Sequence, residues 1–257
     1  MNPTACILII GNEILSGRTQ DANIQFLAQN LGKLGINLQE IRVIPDQEAL
    51  IVHTVNETRK KFSHVITTGG IGPTHDDITA PSIAKAFGVP WEIHEESFKI
   101  LEAHFRPGEF NTPRQRMATL PRGAIPIRNP ISAAPGFSMD NVHVLAGVPE
   151  IMRAMFLELA PHLSKGAPIV SRTWYAFGMS EGQIAEKLEE IQSAFPTLDI
   201  GSYPFKLQDQ RKGVALVVKG HNENQVKNAA EQICQLIADF GLTPHEGEPT
   251  AKEASKI

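Results

Sequence analysis

The sequence predicts an α/β fold: a three-layer α/β/α domain on a mostly parallel sheet, followed by a small α+β domain of βαββα pattern. Three observations predict it. Strand-like and helix-like segments alternate three times near the start; each of those apolar strands ends in a loop carrying a carboxylate; and a proline-bounded break at 161–168 precedes a second set of elements. The domains expected are 1–165 and 170–241, with 242–257 polar, poor in large apolar groups and mobile.

Residues 5–10 form an unbroken apolar run with the length and branching of a strand buried on both faces. The following helix carries Ile24, Leu27, Ala28, Leu31 and Leu34 on one face, and Gly35 ends it. Residues 37–44 are extended up to Pro45-Asp46, a helix runs to about Lys61, and Val65 and Ile66 end a third buried strand. Short connections between alternating strands and helices imply parallel pairing with right-handed crossovers. The third strand runs into Thr67-Thr68-Gly69-Gly70-Ile71-Gly72-Pro73-Thr74-His75-Asp76-Asp77-Ile78-Thr79. Thr79 reads as an N-cap and Pro81 as a first-turn residue of a helix over 80–87, which Gly88 and Pro90 end.

Residues 95–105 read as a helix closed by Arg106-Pro107-Gly108, and 106–116 as an irregular stretch rich in Pro, Gly and Arg. Arg114 and Arg116 could reach a phosphate, with surface solvation the preferred reading of each. Residues 125–127, Phe137 and 142–145 suggest short strands, and Gly147-Val148-Pro149 opens a helix to about Ala160 with Glu150 at its positive end. Beyond the break come a strand at 173–177, a helix at 181–193, strands at 198–203 and 214–219, and a helix at 224–240. Ile184, Leu188 and Ile191 line one of those helices, and Val226, Ala230, Ile233 and Ile237 the other, so each can cover a sheet.

The chemistry concentrates at the strand ends. Gly69, Gly70 and Gly72 let main-chain N–H groups approach an anion, and the turn feeds a helix N-terminus. Asp76 and Asp77 would repel that anion unless a hard divalent cation took oxygen ligands from both. Parallel strands all end on one side, so Glu13, Asp21, Asp46, Asp76 and Asp77 are expected on one rim, where open α/β sheets bind ligands. Residues 11–19 fail as a Walker A loop, with five residues between the glycines and Arg18 in the lysine position. Gly70-Ile71-Gly72 fails as a dinucleotide fingerprint because His75 occupies the third glycine position.

Composition narrows the function classes. The 257 residues carry a formal net charge of −4, which argues against nonspecific nucleic-acid binding. Arg18 is a candidate for neutralising a small anionic ligand locally. Cys6 and Cys234 form no CxxC pair and read as reduced core thiols, and His94-Glu95-Glu96 followed by Ser97-Phe98 is no zincin motif. The opening apolar run is too short for a signal peptide or a membrane span, so a cytoplasmic protein without membrane or nucleic-acid partners is expected.

Four stretches carry a family resemblance: Gly11-Asn12-Glu13-Ile14-Leu15-Ser16-Gly17 with Asp21-Ala22-Asn23; residues 67–79; Ala134-Pro135-Gly136-Phe137; and Leu145-Ala146-Gly147-Val148-Pro149-Glu150. Together they resemble the molybdopterin-binding-like domain of competence/damage-inducible protein A (CinA), and also the N-terminal domain of eukaryotic FAD synthetase. The similarity continues through Gly178-Met179-Ser180-Glu181-Gly182 and Ile200-Gly201-Ser202-Tyr203-Pro204. Two departures stand out. Ser132 and Ala133 replace the usual Gly-Thr, and with Ile257 the last residue the C-terminal amidase domain of full-length CinA and the FAD-forming domain of the eukaryotic enzymes are expected to be absent.

The resemblance implies a divalent-metal-dependent hydrolase of nucleotide diphosphates such as ADP-ribose or FAD, using magnesium, manganese or cobalt. The alternatives are a molybdopterin or nucleotide binding module without turnover, and a pterin adenylyltransferase. Acids matching Asp46 and Asp77 serve the nucleotide and metal site in the wider superfamily. The expected catalytic residues are Asp46, Asp76 and Asp77, and the expected metal ligands Asp77, Asp46 and Glu13, with Asp77 closest. The expected substrate contacts are Asn12, Glu13, Asp21, Thr68, Gly69, Gly70, Gly72, Pro73, Thr74 and Gly147, with water as nucleophile. A small-molecule nucleotide or pterin is the expected partner and a homo-oligomer the expected assembly; the second domain is a candidate lid or pairing surface, with Ser202 and Tyr203 as outer contacts at most.

Overall fold

In the computed structural model, which describes residues 2–250, the chain divides after Gly166 into two units. The first runs β1 (Thr4–Ile10), α1 (Asn12–Leu15), α2 (Ile24–Lys33), β2 (Asn37–Ile44), α3 (Glu48–Lys61), β3 (His64–Thr68) and α4 (Thr79–Phe87). It continues with β4 (Trp91–Ile93), α5 (Glu95–His104), α6 (Thr112–Arg116), β5 (Thr119–Pro121), β6 (Ile125–Ile127), β7 (Gly136–Met139), β8 (Val142–Leu145) and α7 (Pro149–Leu159), and closes with a 3-10 turn at Ala160–His162.

Side chains alternating along β1 sort this unit into three layers. Cys6, Leu8 and Ile10 enter one core with Ile51, Val55 and Ile83, from α3 and α4. Ala5, Ile7 and Ile9 enter another with Leu27, Leu31, Met152 and Phe156, from α2 and α7. A strand covered on both faces must be apolar at every position, which explains the unbroken run.

The six-stranded sheet has the order β2-β1-β3-β8-β7-β6. β1 pairs in parallel with β2 and β3, and β3 with β8; β7 is antiparallel to both its neighbours. The mostly parallel three-layer domain is therefore as expected. Register places the site, because Ile10 lies opposite Ile44, Ile9 opposite Thr68, and Thr68 opposite Leu145. Four parallel strands thus end level, and the loops after them share one edge.

Four elements of this unit were not anticipated. Asn12–Leu15 forms a helical turn, Trp91–Ile93 pairs with Thr119–Pro121 as a two-stranded ribbon, and part of the irregular stretch is the short helix α6. Asn111 caps α6 by accepting from the Arg114 N–H at 3.2 Å, and Pro113 suits its first turn. Thr79 is also reassigned: it is the first helical residue after Ile78, with its hydroxyl turned back to the glycine loop.

A chain of polar groups, buried at its two imidazoles, links β7, β8, β3 and the segment after the 3-10 turn. The Ser138 Oγ lies 2.9 Å from His143 Nδ1, His143 Nε2 lies 3.1 Å from His64 Nδ1, and His64 Nε2 lies 2.7 Å from Ser164 Oγ. Burial lowers both imidazoles' affinity for a proton, His143 to about 4.

The second unit is the small antiparallel α+β domain expected: β9 (Val170–Phe177), α8 (Glu181–Ala194), β10 (Asp199–Lys206), β11 (Lys212–Gly220), α9 (Glu223–Asp239) and β12 (His245–Glu246), with sheet order β10-β11-β9-β12. Ile184 and Ile191 from α8 and Val226, Ala230, Ile233 and Ile237 from α9 pack on Ala176, Leu216 and Val218. Strand β12 falls within the stretch expected to be mobile and was not anticipated. Arg172 donates to Glu246 at 2.8 Å, Gly247 N–H donates to Thr173 O at 2.9 Å, and the His245 ring stacks on Tyr175 at 5.1 Å. A polar sequence can form such an edge strand, because it needs backbone pairing and only one covered face. The part of that expectation covering 251–257 lies outside the described residues.

Cys6 is buried, and burial pushes its thiol up to about 12; Cys234 is half-buried rather than core, with its thiol also raised by burial. Neither is poised as a nucleophile. Among the described residues no helix is long and apolar enough to cross a membrane.

Candidate functional site

The loop after β3 is held in shape by its own backbone. Gly69 has φ 101° and Gly70 φ 67°, a region that disfavours side chains. A Cβ on Gly69 would lie 2.1 Å from Ile10 O, so this turn packs directly on the end of β1. Thr79, fully buried, donates from its hydroxyl to Gly69 O and from its N–H to Gly70 O, each at 2.9 Å. Gly69 N–H donates to Leu145 O at 3.2 Å, so that amide is committed to β8 and closed to a ligand. The N–H groups of Gly70, Ile71 and Gly72 make no hydrogen bond within the chain among the described residues.

Within the same loop Thr74 organises the two aspartates. Its N–H donates to Asp77 Oδ2 at 2.8 Å, and its hydroxyl lies 2.6 Å from both Asp76 Oδ1 and Asp77 Oδ2. The Thr74 hydroxyl, with the Asp76 backbone N–H second, holds the Asp76 carboxyl below the usual range. Arg116 donates from Nη2 to Asp77 O at 2.9 Å, with its guanidinium 5.5 Å from the centre of the Trp91 ring. Surface solvation therefore fails as a reading of Arg116. Arg114 is likewise half-buried, lying over Phe105 and donating to Glu109 O at 2.6 Å.

Two of the other acids serve the backbone. Asp46 Oδ2 accepts from Asn12 N–H at 2.9 Å and so ties the loop after β2 to the turn after β1. Asp21 Oδ1 accepts from Asn23 and Ile24 N–H at 3.1 and 2.8 Å, capping α2. Asn23 Nδ2 then donates to Gly147 O at 2.8 Å, and its Oδ1 is buried with no partner among the described residues. Gly147 is set against Gly69: a Cβ there would lie 3.3 Å from Gly69 Cα.

These loops surround a cavity of about 520 Å³. Of the expected site residues, Glu13, Gly69, Gly70, Gly72, Pro73, Asp77 and Gly147 line it. Asn12, Asp21, Asp46, Thr68, Thr74 and Asp76 stand off its wall, Thr68 because it is buried within β3. Arg18 is exposed in the loop after α1 and also off the wall. Sequence reasoning missed Thr19, Met117 and Asn129 as wall residues. Asn129 is the most informative of them. Its Oδ1 accepts from Ile131 and Ser132 N–H at 3.0 and 3.1 Å, and its Nδ2 donates to Ala134 O at 2.9 Å. The Asn129-Pro130 dipeptide is a turn signal that could have pointed to it.

Among the described residues no three His, Cys, Asp or Glu side chains are grouped to hold a metal; of the expected ligands, Glu13 and Asp77 line the cavity and Asp46 stands off its wall. Spacing along the chain hid this, because a carboxylate that anchors a backbone N–H reads in sequence like a free ligand. Glu13 and Asp77 do share the cavity wall. Two carboxylates suit a magnesium-type ion that completes its shell with substrate phosphate and water, and do not make an all-protein cage.

Comparison with known proteins agrees with this architecture. Residues 6–165 match the family model described as a probable molybdopterin binding domain, and residues 168–246 match that of the FAD synthase middle domain. A protein of Pyrobaculum arsenaticum is 34% identical over 91% of this chain and 94% of its own length. A CinA-like protein of Gloeobacter violaceus is 38% identical over 77% of this chain but only 50% of its own length, so this chain spans about half of that relative. The crystal structure of the CinA protein of Thermoplasma acidophilum, described there as of unknown function, is 29% identical with a TM-score of 0.59, over 62% of this chain and 97% of that one. The chain thus belongs to the molybdopterin-binding-domain family and is similar to CinA proteins, and its residues 168–246 are similar to the FAD synthase middle domain.

Proposed function

We propose that the first unit hydrolyses the diphosphate linkage of a nucleotide such as ADP-ribose or FAD with the help of a divalent cation. The observation that carries this reading is the shared wall of one cavity, which Gly70, Ile71 and Gly72, whose N–H groups make no hydrogen bond among the described residues, line together with Glu13 and Asp77. Main-chain amides of this kind bind phosphate oxygens. Glu13 and Asp77 would hold the cation, which when bound supplies charge neutralisation at the phosphates and acidifies water. Asp77, whose Oδ2 is held by Thr74 and whose main-chain oxygen is held by Arg116, would offer its other carboxylate oxygen, and a carboxylate not engaged by the cation would orient the attacking water. Water adds to one phosphorus, the bridging P–O bond breaks, and two phosphomonoesters leave. Asp46 and Asp21 hold the walls rather than the reacting atoms.

A binding module for a pterin or nucleotide is the second reading, and a pterin adenylyltransferase the third. The module reading draws on the prior engagement of Asp77 Oδ2 with the Thr74 hydroxyl. Purified protein assayed with ADP-ribose and FAD under magnesium, manganese and cobalt separates them. AMP release supports the hydrolase; calorimetric binding of either compound without AMP supports the module. ATP consumption only with a pterin acceptor supports the transferase.

A further inference from the structure

Beside the strand-end cavity lies a recess of about 530 Å³ whose walls include Trp91, Ile93, Pro113, Arg116, Pro73 and His75. The two share wall residues. Pro73 lines both, and a crevice of about 20 Å³ is bordered by Gly70, Gly72 and Asp77, which also line the cavity, and by Trp91 and Arg116, which also line the recess. Arg116 donates to Asp77 O and so ties the recess to the Asp77 turn.

The recess has the chemistry of a ring site. Trp91 Nε1 donates to Thr119 O at 2.8 Å, which fixes the indole plane, and the Arg116 guanidinium sits 5.5 Å from the ring centre. Proline and isoleucine supply flat apolar walls, and no carboxylate lines the recess. Indole and guanidinium planes both stack heteroaromatic rings with little demand on ring identity.

We propose that this recess takes the planar heteroaromatic ring of the ligand whose diphosphate occupies the strand-end cavity, with Trp91 and Arg116 as its ring-binding residues. The inference rests on reading that cavity as the diphosphate site. It makes the substrate class a nucleoside diphosphate derivative rather than a ring-free diphosphate.

The test compares two non-hydrolysable probes on the full chain with magnesium: α,β-methylene-ADP and ring-free methylenediphosphonate. Calorimetry should show the nucleotide binding about tenfold more tightly, a ratio typical of one stacked ring. Trp91→Leu should remove that advantage and leave methylenediphosphonate binding unchanged, and Trp91→Phe should restore most of it. A second measurement uses Trp174→Phe, which leaves Trp91 as the one tryptophan. Its emission lifetime should respond to α,β-methylene-ADP and not to methylenediphosphonate. Equal binding of the two probes, an unaltered advantage in Trp91→Leu, or an unresponsive Trp91 lifetime overturns the ring site while the diphosphate reading stands. Failure of both probes to bind the unmodified chain overturns both.

Discussion

Thr79 and Gly69 are joined by a 2.9 Å hydrogen bond from a fully buried hydroxyl to a main-chain carbonyl, closing the loop that carries Asp76 and Asp77. Thr79→Val keeps the shape and leaves Gly69 O without its donor. Such a loss costs about 1–3 kcal/mol. Urea unfolding should register it, and Thr79→Ser should recover most of the loss. Equal midpoints for Thr79→Val and the unmodified chain would show that the bond holds nothing.

Gly69→Ala should cost more, on the order of 3–5 kcal/mol, since it combines backbone strain with a clash. Its Cβ would meet Ile10 O at 2.1 Å, and its φ is 101°. Gly88 supplies the control. It also has positive φ, 67°, but its Cβ would meet open space, so Gly88→Ala should lose only about 1 kcal/mol. Thermal melts of the pair read out the difference.

Asp77→Asn and Asp46→Asn should part company. Asp77 lines the cavity and Asp46 accepts from Asn12 N–H, a bond that an Asn oxygen can keep. Metal-dependent AMP release should fall by at least about a hundredfold in Asp77→Asn and by less than about tenfold in Asp46→Asn. Equal losses would return Asp46 to the reacting centre. The fold should survive in both, as circular dichroism would show.

Acid should weaken the first unit through its histidine chain. His143 is buried, its folded affinity for protons is depressed to about 4, and proximity to His64 adds to the burial. Between the ordinary imidazole range and that value the unfolded chain binds the extra proton, so stability falls as pH drops from about 6.5 towards about 4 and then levels off. The loss from this group is on the order of 3 kcal/mol. Urea midpoints should drop over that window, and His143→Gln should flatten the slope.

Regular elements were legible because burial leaves periodicity: residues 5–10 had to be apolar on both faces, and α9 shows its stripe of Val226, Ala230, Ile233 and Ile237. The glycine turn was legible too, since positive φ selects glycine at 69 and 70. What stayed hidden was where side chains point. Asp21, Asp46 and Asp77 all follow strands, yet hydrogen bonds to Ile24, Asn12 and Thr74 give them three different duties. Arg116 was misjudged for the same reason: its partner is a main-chain oxygen contributed by Asp77, far away in sequence.

The level finish of β1, β3 and β8 has one more implication. Glu13, Asp77 and Gly147 become neighbours only after three distant stretches of polypeptide have come into register, so no excised peptide can inherit ligand affinity. Ligand protection against proteolysis should therefore appear all at once during refolding, when the central strands lock, rather than growing loop by loop.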